Sequence, residues 1–237
     1  MVLGNCLEVM QLILEASVDA VIADLPYGTT YCPWDEIIPF DQLWPLYLRV
    51  AKPNAPIILF SSQPFTSRLI MSNPKMFRYC WYWKKEKGTG FLNAKRQPLR
   101  TVEEICVFYK KPPLYNPQMM PRKKPYKHTL PNKKSDIHSK IRTIDQANPD
   151  REYVTYSEKY PVNLLEFARD KSVLPTQKPL GLIEYLVKTY TNEEDVVLDN
   201  VVGSGTTYLA CRNLGRFCIG IENDPGTFEK ALKRLSL

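Results

Sequence analysis

The chain has 237 residues, 44% of them hydrophobic and 24% charged, enough for one substantial core with room for an insertion and too little for several independent cores. This composition excludes whole-chain disorder, collagen-like repeats and coiled coil, and no apolar run approaches the roughly 18 to 20 residues of a bilayer span. The net charge of +7 is unevenly held: residues 84–142 carry 16 Lys or Arg against four acids, whereas residues 1–48 carry seven acids and no Lys or Arg, so a polyanion is drawn to the middle of the chain and repelled from its start.

In chain order, "CLEVMQLILEA" (residues 6–16) has helical spacing, and "VDAVIADLP" reads as a buried strand stopped by Pro26. Residues 40–51 are helical in pattern despite Pro45, "APIILFS" is a second buried strand, and "PFTSRLIMS" opens a helix with proline in its first turn. "FRYCWYWKK" and "VEEICVFYKK" follow as aromatic and β-branched strands. From residue 110 to 161, eight prolines and many lysines interrupt the pattern, and no glycine occurs between Gly90 and Gly181. This stretch predicts an inserted, ordered loop region without a core of its own, which orders partly on a partner. Alternation resumes with a helix over 180–190, the strand "DVVLDN", a glycine turn, a helix over 206–213, the strand "RFCIGIE" and a closing helix to residue 237. Alternating strands and helices predict an α/β fold, with residues 1–109 and 166–237 as its two halves and residues 110–165 as the insertion.

The six cysteines are scattered without a CxxC pair, and the only histidines are His128 and His138. Neither a metal site nor a disulfide framework is expected; the cysteines read as reduced thiols and the histidines as surface. The first Lys or Arg is Arg49, so the start lacks the basic opening of a secretory signal, and a cytoplasmic address is expected. Around the basic middle, Tyr79, Trp81, Tyr82, Trp83, Phe91, Tyr109, Tyr115 and Tyr126 are interleaved with Lys and Arg. Such a pattern offers stacking faces beside phosphate-neutralising groups, although a solvated basic face over a core strand has the same composition.

Two stretches carry chemistry. In "VVLDNVVGSGTTYLACRNLGRFCIGIEND" a strand runs into Gly203-Ser204-Gly205, a helix follows, and the next strand ends in Glu222, nineteen residues after Gly203. Glycines there let the backbone approach a ligand, and an acid past the second strand can take two ribose hydroxyls; a tight turn is the plainer alternative. Tyr208 occupies the third-glycine position of the dinucleotide fingerprint, which favours a nucleoside ligand without phosphates. The second stretch, Asp24-Leu25-Pro26-Tyr27-Gly28, follows the strand "VDAVIA". It presents a carboxylate, a carbonyl before a rigid proline and an aromatic plane where open α/β sheets place their chemistry, so it can hold a planar amine. A strand-terminating turn with a capping Asp is the alternative.

Asp24 to Tyr27 resembles the catalytic "DPPY" tetrapeptide of the S-adenosylmethionine-dependent DNA amino-methyltransferases, and Asp199 to Thr207 resembles their cofactor loop "DPFxGSGTT". The motif order is similar to that of the permuted beta group of this family. "GNC" (Gly4 to Cys6), "YPVNLLEF" (Tyr160 to Phe167), "PTQKP" (residues 175–179) and "IGIEND" (Ile219 to Asp224) add to the likeness. Leu25 stands for the first proline of the tetrapeptide, Asn5 for a frequent Asp, Asn200 and Val201 for the Pro-Phe of the loop, and Leu174 for a His.

The resemblance implies a Rossmann-like methyltransferase fold, circularly permuted, with a mostly parallel twisted sheet, helices on both faces and a Lys/Pro-rich insertion. Residues 1–109 would be the catalytic half, 110–165 the target-recognition insertion and 166–237 the cofactor half. It implies transfer of a methyl group from S-adenosylmethionine to a base amino group, with Asp24, Leu25, Pro26 and Tyr27 catalytic. Asn5, Asp24, Lys178, Asp199, Gly203, Ser204, Gly205, Thr206, Glu222 and Asn223 would serve the cofactor, and Phe91, Asn93, Lys95, Arg96, Arg122, Lys123 and Lys124 the DNA. In this family Asp at the first motif position accompanies adenine N6, so a flipped-out adenine in double-stranded DNA is the expected target. An N4-cytosine enzyme, a catalytically silent DNA-binding relative and an enzyme acting on RNA or a protein amide are the alternatives. The resemblance suits a stand-alone bacterial or phage-encoded protein and is compatible with a homodimer.

Overall fold

The computed structural model describes residues 1–28, 35–129, 141–144, 152–170, 173–174 and 176–236. Cys32 and His138 and the first proline of "PTQKP" lie outside the described residues. The strands are β1 (Val2–Leu3), β2 (Ala20–Ala23), β3 (Ile57–Ser61), β4 (Phe77–Thr89), β5 (Arg100–Phe108), β6 (Met120–Thr129), β7 (Ile141–Ile144), β8 (Glu152–Lys159), β9 (Leu164–Glu166), β10 (Val196–Asp199) and β11 (Phe217–Glu222). The helices are α1 (Cys6–Val9), α2 (Phe40–Val50), α3 (Phe65–Ser72), α4 (Leu180–Tyr190), α5 (Thr206–Asn213) and α6 (Pro225–Leu235). No helix among the described residues is long and apolar enough to cross a membrane.

The chain divides into two compact units, Met1–Asn116 with Asn163–Leu237, and Pro117–Val162. In the first, eight strands form one sheet in the order β1-β11-β10-β2-β3-β5-β4-β9. The β1, β11, β10, β2 and β3 ladders are parallel, and β5 runs antiparallel to both β3 and β4. Successive side chains of a strand point to opposite faces, and here both faces are covered. Val21, Ala23, Ile57 and Leu59 pack with Leu43, Trp44 and Tyr47 of α2 and Phe65 and Leu69 of α3. Ile22, Ile58, Phe60 and Val197 pack with Leu182, Ile183, Leu186 and Val187 of α4 and Ala210 and Cys211 of α5. This double burial is why β2 and β3 read as unbroken apolar runs rather than alternating ones.

The strand order positions the site. From β2 the chain steps to β3 on one side, and from β10 it steps to β11 on the other, so the carboxyl ends of β2 and β10 flank the reversal point of the sheet, where open α/β sheets leave a crevice.

The structure departs from the sequence reading in three places. The helix expected over residues 6–16 ends at Val9 and passes through one 3-10 turn, Met10–Leu12. Leu12 and Leu14 are exposed, so their helical spacing has no surface to pack on. The short strands β1 and β9, both at sheet edges, carry too few residues for a periodic signal. In the second unit, the expected loop region instead holds a three-stranded antiparallel sheet in the order β6-β8-β7. Pro121 and Pro125 lie in β6, which is an edge strand whose register shifts between Pro121 and Tyr126; an edge and a bulge are where a strand tolerates proline.

Candidate active site

The turn after β2 is built by its own residues. Pro26 has no amide hydrogen, and the next two amides, of Tyr27 and Gly28, both donate to Asp35 Oδ1 at 2.8 and 2.9 Å. Gly28 has φ +64°, and a Cβ there would lie 2.9 Å from Ile37, so this position requires glycine. Leu25 is buried, and the Tyr27 ring stacks on Phe65 of α3 with centroids 5.1 Å apart.

Asp24, at the head of this turn, is hydrogen-bonded through both oxygens. The Tyr27 hydroxyl donates to Oδ1 and the Lys178 ammonium to Oδ2, each at 2.6 Å. Lys178 arrives from the segment before α4, and its Nζ also lies 3.4 Å from Glu103 Oε2 on β5. The other oxygen of Glu103 is paired with Lys85 of β4. The Lys178 ammonium is flanked by the rings of Phe60, Tyr27 and Trp83, 5.2 to 6.0 Å from their centroids, a distance at which a ring face attracts a cation.

Burial raises the Asp24 carboxyl above its ordinary range; the Lys178 charge opposes this and the Glu103 charge adds to it. Burial also acts to raise Glu103, but Lys178 and Lys85 together hold it below its usual value. For Lys178 burial works to lower the pKa, and the two carboxylates more than offset it. The Tyr27 hydroxyl is pushed well up by burial and by Asp24, so it stays a donor. The result is a partly buried, charge-paired cluster that sets a carboxylate beside an aromatic ring.

The second predicted motif lies next to the first in the sheet, at the end of β10. Asp199 is buried, and its Oδ1 accepts the Val201 amide at 3.1 Å. Its pKa is raised to about 7 by burial, with Asp24 and Glu222 adding repulsion against the relief from Thr207 and Val201. Gly203 and Gly205 have φ +53° and +79°, the left-handed backbone that lets the chain turn from β10 into α5. Glu222, at the end of β11, accepts the Gly203 amide at 3.0 Å and the Asp224 amide at 2.9 Å, tying the turns after β10 and β11 together. Asn5 follows β1 on the same edge; its Oδ1 caps α1 by accepting the Leu7 amide, and the adjacent Gly4 amide donates to the Glu222 carbonyl.

Ser204 and Thr206 are buried, and Arg234 of α6 donates to Ser204 Oγ at 3.1 Å and to Thr206 Oγ1 at 2.8 Å, so their hydroxyls brace the turn from behind. Asn223 is exposed.

The residues expected to meet DNA fall into two groups. Phe91, Asn93, Lys95 and Arg96 lie on the exposed turn between β4 and β5, where Phe91 is 71% and Leu92 fully exposed. Arg122, Lys123 and Lys124 are exposed on β6 in the second unit, with the Arg122 guanidinium 5.6 Å from the Tyr126 ring centroid. Sequence reasoning missed Asp35, Lys85, Glu103 and Arg234. Glu103 had a partial signal, being one of two adjacent carboxylates in the strand "VEEICVF", which follows the lysines of "WKK" in the chain.

Residues 18–233 match the family model described as DNA methylase. The Type II methyltransferase M.HpaI of Haemophilus parainfluenzae is 26% identical over 249 residues, spanning 99% of this chain and 73% of that one. The crystal structure of the M1.HpyAVI–SAM complex superposes with a TM-score of 0.64 at 25% identity, covering 98% of both chains. The cytosine-N4-specific PvuII DNA methyltransferase shares the fold, with a TM-score of 0.68 at 15% identity over 98% of this chain and 84% of its own. With 216 of its 237 residues inside the matched span, and with an acidic-aromatic turn and a glycine turn on either side of the sheet's reversal point, the chain belongs to the N6/N4 DNA methylase family.

Proposed function

We propose that this protein methylates the N6 amino group of an adenine turned out of double-stranded DNA, using S-adenosylmethionine. The observation that carries the reading is the adjacency of the Asp24–Tyr27 turn and the Asp199–Gly205 turn at the carboxyl ends of neighbouring parallel strands. Asp rather than Ser at position 24 supports adenine over cytosine, by the family resemblance.

The residues suit S-adenosylmethionine. It carries a sulfonium and an α-ammonium, and Asp199, Asp24 and Glu222 form an acidic group in which mutual repulsion and burial hold Asp199 protonated up to about pH 7; a cation relieves that repulsion. Glu222 and Asn5 would take the nucleoside, and the Gly203–Gly205 backbone would lie against the methionine portion, with Lys178 and Asn223 at the margins and Ser204 and Thr206 holding the turn. When bound, the cofactor supplies a methyl group on sulfur, whose C–S electron pair stays with the sulfur as the N–C bond forms.

The chemical difficulty is that the adenine amino lone pair is delocalised into the ring. Asp24 accepts one N–H and the Leu25 carbonyl the other, which favours a pyramidal nitrogen and stabilises the positive charge that develops there. The surplus proton leaves along the hydrogen bond to Asp24. The Tyr27 ring offers a stacking face for the extruded base, and fixed placement of the amino nitrogen supplies the remainder. The basic residues of the β4–β5 turn and of β6 would neutralise phosphates.

Mass spectrometry of nucleosides from unmethylated DNA, incubated with S-adenosylmethionine and either wild type or Asp24→Ala, tests this. N6-methyladenine with wild type alone is expected. N4-methylcytosine would move the target atom to cytosine, and no methylated nucleoside in DNA of many sequence contexts would overturn the reading.

A further inference from the structure

Building on the methyltransferase reading, we propose that Glu103 is a positioning residue that takes the Lys178 ammonium away from Asp24 as the target amino group arrives. The ammonium already sits between the two carboxylates, 2.6 Å from Asp24 Oδ2 and 3.4 Å from Glu103 Oε2. The nearer contact is a full charge-assisted hydrogen bond; Glu103 Oε2 is buried and has no hydrogen-bond partner among the described residues, only the longer ion-pair contact with Lys178. Glu103 itself is anchored, since Lys85 holds its other oxygen and its strand position is fixed opposite Trp83 of β4. It is therefore a rigid acceptor with an open valence facing the cation.

The reaction makes this exchange necessary. Asp24 Oδ2 cannot serve an N–H of the base at full strength while an ammonium lies 2.6 Å away, and the nitrogen gains positive charge as it reacts, which that ammonium opposes. Withdrawal of Lys178 to water is hindered, because its side chain is 10% exposed and its Nζ is flanked by Phe60, Tyr27 and Trp83. A displacement of roughly half an ångström toward Glu103 brings that pair to about 2.8 Å, the usual length of a charge-assisted bond. The aromatic faces can accompany the cation throughout, as their attraction has a broad distance dependence. The titratable groups facing Lys178 are Asp24 and Tyr27 from the turn after β2 and Glu103 from β5, with Lys85 of β4 acting through Glu103 and Asp199 of β10 acting through Asp24.

The test is the single-turnover rate of methyl transfer against pH, at saturating DNA and cofactor, for wild type, Glu103→Gln, Lys178→Met and the double variant. Wild type is expected to hold its rate from about pH 8 to 10. Glu103→Gln should fall about tenfold or more at the acid end and recover toward the alkaline end, because without the Glu103 charge Lys178 gives up the proton that obstructs Asp24 at a lower pH than in wild type. The double variant should match Lys178→Met alone and show no climb. A merely structural Glu103 would lower the rate equally at every pH, and that result, a wild-type rate in Glu103→Gln, or costs that multiply in the double variant would each overturn the proposal. Should Glu103→Gln lose its cooperative melting, Glu103→Asp, which keeps the charge and shortens its reach, is expected to show a smaller loss whose recovery begins at higher pH, because the retained charge holds the Lys178 proton longer. Wild type that methylates no base overturns the methyltransferase reading and this proposal together, whereas a pH-independent Glu103→Gln defect in an active enzyme overturns this proposal alone.

Discussion

The Tyr47 hydroxyl of α2 donates a 2.6 Å hydrogen bond to Asn200 Oδ1 in the glycine turn, 153 positions away, and both side chains are buried. In the family loop this position is proline, so the bond shows how the turn is held here: a polar side chain stands where the core would otherwise meet an apolar ring, and a tyrosine from the neighbouring helix satisfies its carbonyl oxygen. Tyr47→Phe removes the donor and leaves a buried carbonyl unsatisfied, at a cost of about 1–3 kcal/mol. For a chain of this size that corresponds to a melting temperature lower by roughly 2–12 °C. Calorimetry should find this fall together with weaker S-adenosylmethionine binding, since the freed residue belongs to the turn proposed to hold the cofactor.

Asp24→Asn keeps the shape of the site and removes the charge proposed to stabilise the reacting nitrogen. Loss of one such preorganised group typically slows the chemical step by about 10²–10³. Rapid-quench methyl transfer should show this loss in rate with DNA binding retained. A loss confined to KM would mean that Asp24 binds the base without assisting the chemistry.

Asp199 links stability to pH. Its carboxyl is raised from the ordinary 3.8 to about 7 in the folded chain. Between these values the folded state holds a proton that the unfolded state has released, so stability falls as pH rises through this window and is lowest above about pH 7. The full span is at most about 4 kcal/mol at 1.36 kcal/mol per unit. Asp199→Asn should remove this slope and be the more stable protein at pH 8 in urea unfolding. Cofactor affinity should run the opposite way in wild type, rising as Asp199 ionises, and Asp199→Asn should lose that dependence in isothermal titration.

The β4–β5 turn presents Phe91 and Leu92 to solvent beside Asn93, Lys95 and Arg96. Exposed side chains contribute little to stability, so Phe91→Ala and Leu92→Ala should change it by less than about 0.5 kcal/mol. Both are expected to weaken DNA binding and the fluorescence rise of a 2-aminopurine target base. Lys95→Ala and Arg96→Ala should each reduce the slope of log affinity against log salt by about 0.9, the amount that goes with one phosphate no longer neutralised. An unchanged slope would remove this turn from the DNA interface.

The sequence alone determined the parts of this protein that depend on near neighbours in the chain. The apolar runs of β2, β3 and β10 and the helices at Phe40–Val50, Leu180–Tyr190 and Thr206–Asn213 were legible because burial on both sheet faces imposes its pattern residue by residue. The Asp24–Tyr27 and Asp199–Gly205 turns were legible because a strand end followed by proline or glycine is a local event. The Lys/Pro-rich β6 was not, since proline at an edge bulge leaves the composition of a loop.

Tertiary structure alone decided which charges meet. Lys178 reaches Asp24 across 154 positions, and the Glu103–Lys85 pair closes the same cluster from β5 and β4. No spacing rule joins these residues, because their proximity follows from the strand order β10-β2-β3-β5-β4, which is set by packing on two faces at once. In a buried site the strength of an ion pair depends on what lies within a few ångströms, and only the folded sheet brings those groups into reach.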